Sequence, residues 1–180
     1  MNLTGDRVVS KDPAVKTAAR RQSLPKLTDR LPLGRTGLTL SPYCLGLAGS
    51  SKVVPAAFDA GINCFFVSTD MHWPFYEQTR RGLKLLLARG SAVRDRIVVV
   101  ATSYCTQPDF CWLPYRELVE AVPGLGRLDV MVAGGALLPE FRQRLEILKR
   151  QRSERYLGAV AIGASFHQRK QARAATCSRT

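Results

Sequence analysis

The sequence predicts an α/β fold built on a parallel sheet, and three observations predict it. Apolar strand-like segments recur about 30 residues apart, an amphipathic helical segment separates each from the next, and Gly or Pro closes most helices. With 180 residues, 46% of them hydrophobic and 23% charged, the chain has material for one domain with a substantial core. Right-handed crossovers between parallel strands allow either a doubly wound sheet or a barrel, and periodicity alone leaves both open.

Organisation begins at Leu31. LPLGRTGLTLSPYCLGL carries two short apolar runs around Gly34 and Gly37, which predict a β-hairpin, and then a small strand over Cys44–Ala48. Lys52–Ala60 reads as a helix with Val53, Val54, Ala57 and Phe58 on one face, stopped by Gly61. Ile62–Ser68 is an apolar run broken mainly by Asn63, as expected of a strand buried on both faces. Glu77–Arg89 is amphipathic, with Leu83, Leu86 and Leu87 at helical spacing before Gly90. Arg96–Thr102 (RIVVVAT) is dominated by β-branched residues and is the clearest strand. Tyr115–Val122 follows as a helix, Asp129–Ala133 as a strand, Pro139–Arg152 as a helix with Phe141, Leu145 and Leu148 on one stripe, and Ala159–Ser165 as the last strand.

The formal charge is +13, from 27 Lys+Arg against 14 Asp+Glu. The excess lies before Leu31 and after Pro139, where it predicts solvated helix faces and loose tails. Nucleic-acid binding rests on charge alone, since no nucleic-acid motif accompanies it. Residues 1–30 read as a basic extension with a short helix around Ala14–Gln22, residues 31–166 as the folded part, and residues 167–180, starting near His167, as a basic tail. MNLTGDRVVSKD lacks the apolar core of a signal peptide, and no apolar run approaches the roughly 20 residues of a membrane span. Cys44, Cys64, Cys105, Cys111 and Cys177 show no C-x-x-C and no ligand spacing, so a reducing, cytoplasmic setting and no metal site are expected.

Five segments resemble one family in order. LGRTGLTLSPYCLGL is similar to the opening hairpin and first strand of aldo-keto reductases, and AAFDAGINCFF to their first helix and second strand. RDRIVVVAT, RLDVMVAG and YLGAVAIGAS resemble the third, fourth and fifth strands, the last after EILKR at Glu146–Arg150. The resemblance chooses the barrel: a partial (β/α) TIM-barrel-like fold of about five βα units with an N-terminal β-hairpin, over about Leu31–Ser165.

For function, the resemblance implies carbonyl reduction with NADP through a Tyr acid, a Lys and an Asp that tune it, and a His that orients the carbonyl. A Tyr with a pKa near 10 donates a proton readily at neutral pH only when neighbouring charges lower it. Those side chains are replaced here. Aligning Phe65-Phe66 with the family pair puts Val67 in the Asp place and His72 in the Tyr place; aligning from Gly61 gives Phe66 and Met71. The Lys place holds Ser103, and the His place Ala133 or Gly134. The resemblance also implies that the cofactor phosphates bind after the seventh and eighth strands, in a fold of roughly 250 residues. This sequence contains five units, so its main phosphate anchor is expected to be missing and its first and fifth strands to be edges open to self-association.

Candidate chemistry gathers after the second and third strands, on the face where βα loops build active sites. Asp70 two residues from His72 can orient it as a base, and Trp73 and Tyr76 offer substrate-binding walls; otherwise Asp70 caps the following turn over a packed Trp73 and Phe75. Ser103 and Tyr104 lie on the same rim as substrate-binding candidates. Ser103 or Cys105 is the candidate nucleophile for His72, with ordinary loop packing as the plainer reading. Gly134-Gly135 reads as a tight turn or a close approach to ligand. Two functions follow: an aldo-keto-reductase-like oxidoreductase with a substituted active site, or a non-catalytic barrel remnant acting as a binding or assembly module.

Overall fold

The computed structural model describes residues 24–136 and 138–164. The proposed helix at Ala14–Gln22, the tail from His167 and Cys177 lie outside these residues.

Leu31–Pro32 (β1) and Thr39–Leu40 (β2) form the expected antiparallel hairpin, with Leu31 opposite Leu40 and Pro32 opposite Thr39. Its turn needs left-handed backbone at Gly34 (φ 54°) and Gly37 (φ 79°), which glycine adopts at little steric cost. Asn63 fastens the hairpin to the sheet. Its Oδ1 accepts from the Ser41 amide at 2.6 Å, its Nδ2 donates to the Thr39 carbonyl at 2.9 Å, and its own amide donates to Ser41 Oγ at 3.1 Å. The polar break in the apolar run is therefore a buried, hydrogen-bonded crosslink.

The main sheet contains Cys44–Leu45 (β3), Cys64–Ser68 (β4), Val98–Ser103 (β5), Val130–Ala133 (β6) and Ala161–Ala164 (β7), all parallel. Their order across the sheet is their order in the chain. A doubly wound sheet must reverse direction at a switch point; this one never does, which is the winding of a barrel wall.

The crossovers hold Val53–Asp59 (α1), Glu77–Leu87 (α2), Ser91–Arg94 (α3), Leu113–Ala121 (α4) and Phe141–Ser153 (α5), with 3-10 segments at Asp70–Tyr76 and Pro108–Phe110. The core lies on one side of the sheet. Phe65, Val67, Val99, Ala101, Met131 and Ala133 pack with Leu83, Leu86, Tyr115, Leu118 and Leu148 from the helices. The alternate strand residues Phe66, Val100 and Val132 point to the other face and are only half-buried. Gly82 lets α1 and α2 touch: a Cβ there would sit 2.6 Å from Val54 Cγ2 and 2.7 Å from the Ser51 carbonyl oxygen.

Three expectations need correction. The strand expected over Cys44–Ala48 is only two residues long, because Thr79 of α2 takes over the next backbone groups. The Ala48 amide donates to Thr79 Oγ1 at 3.1 Å, and Thr79 Oγ1 donates to the Gly46 carbonyl at 2.9 Å. The segment after β4 is not a plain loop but a 3-10 turn series around Pro74. On α5 one basic residue leaves the solvated face: Arg144 is 1% exposed.

Candidate rim site after β4 and β5

The C-terminal ends of β4 and β5 are stitched together by Thr69 and Asp70. The Thr69 amide and Oγ1 both donate to the Thr102 carbonyl, at 2.9 and 2.8 Å. Asp70 then adopts left-handed backbone (φ 58°), a conformation that Asp tolerates better than most side chains. That twist turns its carboxylate toward β5. Oδ2 accepts from Ser103 Oγ at 2.7 Å and from the Tyr104 amide at 2.6 Å, while Ser103 Oγ accepts from the Cys105 amide at 3.2 Å.

The expected pairing of Asp70 with His72 is not what the structure shows. The Asp70 hydrogen bonds run to Ser103 and Tyr104, and His72 Nδ1 lies 2.9 Å from Ser68 Oγ. The edge of the imidazole meets the Tyr104 ring at 5.4 Å between centroids and 79° between planes. Ser103 is likewise bonded to Asp70 rather than to His72, and Cys105 Sγ lies 3.8 Å from the Gln107 carbonyl. Nor does Asp70 cap the turn, since the segment starts at Thr69 with no side-chain cap. Phe75 does not pack beneath the turn but is 68% exposed.

Trp73 and Tyr76 face different surroundings. The Arg80 guanidinium lies over the Trp73 ring at 3.6 Å, hydrogen-bonds the Trp73 carbonyl and pairs with Glu77. Tyr76 packs edge-on against Phe66, with centroids 6.0 Å apart, on the sheet face opposite the helices. Burial pushes its hydroxyl pKa up, the reverse of what a proton donor tuned to neutral pH requires. Tyr115 is raised in the same direction by burial, and its hydroxyl donates to the Val132 carbonyl at 2.7 Å.

Gly134 and Gly135 serve packing. A Cβ on Gly134 would lie 2.3 Å from Tyr104 Cδ1, so the missing side chain is what admits that ring; Gly135 takes φ 67° in the turn. Sequence reasoning missed the residue that organises this corner. Arg144 reaches from α5 to the carbonyls of Cys105 (3.0 Å), Gly134 (2.9 Å) and Gly135 (3.0 Å), clamping the loops after β5 and β6. The only available signal was its place on α5 between Phe141 and Leu148, next to the apolar stripe.

An open groove of about 500 Å³ lies over the rim, lined by Asp70, Met71, Tyr104 and Cys105 on one side and by Phe110 and Leu113 on the other. Among the described residues no Lys or Arg lines it. Among the described residues no three His, Cys, Asp or Glu side chains gather as metal ligands do, and no helix is long and apolar enough to cross a membrane.

No family model matches the sequence, and no curated protein is similar to it. Solved structures are. A thermostable aldo-keto reductase in complex with the inhibitor epalrestat superposes with a TM-score of 0.62, covering 78% of this chain and 55% of its own at 14% identity. The Bombyx mori aldo-keto reductase in complex with NADP gives 0.58, covering 76% of this chain and 50% of its own at 16% identity. The chain thus spans about half the length of the solved structures it matches, and the likeness is one of fold: it is built as a partial (β/α) barrel of the aldo-keto-reductase type.

Proposed function

We propose that this chain is a non-catalytic aldo-keto-reductase-like module, a binding or assembly element whose rim binds without transferring hydride. The observation that carries this reading is the commitment of Asp70 to Ser103 and Tyr104, with His72 held on Ser68. A tuned proton donor needs a Tyr beside a charge that lowers its pKa. Tyr76 and Tyr115 are both shifted the other way. Strand alternation supports the alignment that puts Phe66 in the Asp place, because Phe66 faces away from the helices whereas Val67 is buried against them.

NADP is the cofactor the fold implies, and one solved neighbour carries it. The rim groove gives its phosphates no purchase: among the described residues it offers a carboxylate, polar Thr106 and Gln107 and apolar walls but no cation. The groove suits instead a small, largely apolar molecule. Isothermal calorimetry with NADPH, run beside a carbonyl-reduction assay on the full chain, tests the reading. No heat of binding and no turnover are expected; micromolar binding with reduction would overturn it.

The assembly half of the reading rests on the sheet edges. Among the described residues β3 pairs only with β4 and β7 only with β6, so each presents a parallel edge. We place self-association there, and sedimentation velocity should show concentration-dependent dimers or larger species. Five cysteines with no C-x-x-C spacing support a reducing, cytoplasmic setting.

A second reading, an oxidoreductase with a substituted site working through Asp70 and His72, is favoured by one observation. His72 sits on the rim with Tyr104 against it, where a barrel places its chemistry. A His72→Ala variant would then lose NADPH-dependent turnover, whereas the favoured reading expects no turnover to lose.

A further inference from the structure

We propose that Cys44 and Cys64 form a dithiol site that closes to a disulfide when a low-molecular-weight disulfide of the oxidised-glutathione class reaches the β3 edge of the sheet. The two residues are register partners on adjacent parallel strands, and their sulfurs lie 3.3 Å apart. Neighbouring strands run about 4.8 Å apart. Directly paired residues therefore fall within the Cα separations of about 4.4–6.8 Å that disulfides span. Closing the bond asks the sulfurs to approach by roughly 1.3 Å, toward a bond length near 2.05 Å.

The two thiols are unlike, and the difference sets the order of events. Cys44 is exposed at the edge, whereas Cys64 is 4% exposed. Cys64 donates its S–H to Cys44 Sγ. That hydrogen bond lowers the Cys44 pKa and raises that of Cys64, which burial raises further. Cys44 is thus the attacking thiolate and Cys64 the resolving thiol. In the first step Cys44 Sγ attacks one sulfur of the small disulfide, a mixed disulfide forms and one small thiol leaves. In the second, Cys64 gives up its proton and attacks Cys44 Sγ, expelling the second small thiol. The protein dithiol is oxidised by two electrons and one small disulfide is reduced to two thiols, so the exchange balances.

The other described cysteines are placed elsewhere. Cys105 Sγ lies by the Gln107 carbonyl and Cys111 Sγ by the Arg144 carbonyl, each at 3.8 Å, on the rim side rather than the β3 edge. The consequence of closure is local. β3 is held to the sheet by two residues only, and a Cys44–Cys64 bond would fix that edge covalently to β4.

The test uses the native chain. It is incubated with oxidised glutathione, quenched in acid, alkylated, and digested with trypsin, which cuts between the two cysteines after Lys52. Non-reducing mass spectrometry should then find the Cys44 peptide joined to the Cys64 peptide and both thiols lost to alkylation. In Cys64→Ser the Cys44 peptide should instead retain glutathione, and in Cys44→Ser, Cys64 should stay alkylatable over the same time course. The proposal is overturned if the native chain stops at a glutathione adduct on Cys44, if Cys64 reacts as fast as Cys44, or if the new bond joins either residue to Cys105, Cys111 or Cys177.

Discussion

The carboxylate of Asp70 accepts a hydrogen bond from Ser103 Oγ at 2.7 Å, joining two residues that follow different strands and lie 33 positions apart. The same oxygen accepts the Tyr104 amide, so one side chain ties the β4 rim to the β5 rim. Asp70→Ala should destabilise the fold by about 2 kcal/mol, the range for hydrogen bonds to a charged acceptor. Asp70→Asn should cost less, because Asn tolerates the left-handed backbone and keeps one acceptor oxygen. Equilibrium urea unfolding of both variants checks the order.

Arg144 is the second such tie. Its buried guanidinium serves three loop carbonyls, and Arg144→Met would strand all of them. A loss of about 3 kcal/mol or more is expected, at 1–3 kcal/mol per stranded buried group less what water recovers. Arg144→Lys should recover little, since an ammonium cannot span three acceptors in a fork. Urea unfolding gives the magnitudes, and hydrogen exchange should localise the loosening to the loops after β5 and β6.

Gly82→Ala sets two effects against each other. In the interior of an exposed helix the change would gain about 1 kcal/mol from propensity. Here the added methyl would lie 2.7 Å from the Ser51 carbonyl oxygen and 2.6 Å from Val54 Cγ2, and overpacking of this kind costs about 1–3 kcal/mol. The clash involves backbone and should win, lowering the thermal midpoint.

Cys111 titrates in the opposite sense to an active thiol. Burial pushes its pKa up to about 11. The folded chain therefore holds this proton where the unfolded chain, near 9.0, has released it. The contribution to stability is complete below pH 9 and is lost as pH rises toward 11. Iodoacetamide at pH 8 should accordingly modify Cys105 well before Cys111, and Cys111 should become reactive only in denaturant. Equal rates in the native chain would contradict the assignment.

Much of the fold was legible because strands and helices announce themselves by composition and period. Val98, Val99 and Val100 mark β5, and Gly61 and Gly90 follow the ends of α1 and α2, with φ of 107° and 131°. The four-residue α3 was not, being shorter than the period that would reveal it. The rim cluster was half legible. Asp70, His72, Ser103 and Tyr104 were placed on the correct rim because they follow strand ends, but their partners depend on the φ of one residue. A single left-handed Asp70 sends the carboxylate to β5, and no local pattern encodes that. Arg144 was barely legible for a related reason: on a helix with Arg142, Lys149, Arg150 and Arg152, only its place beside the apolar stripe of Phe141 and Leu148 sets it apart.

The unreversed strand order has a consequence for how the chain is made. Each strand from β5 onward docks against the one synthesised just before it, about 30 residues earlier, and never waits for a partner further downstream. Ordering can therefore proceed vectorially behind the ribosome, with only short loops to close at each addition. A sheet wound this way also gains or sheds whole units at its β7 margin, disturbing one neighbour and leaving earlier pairings intact.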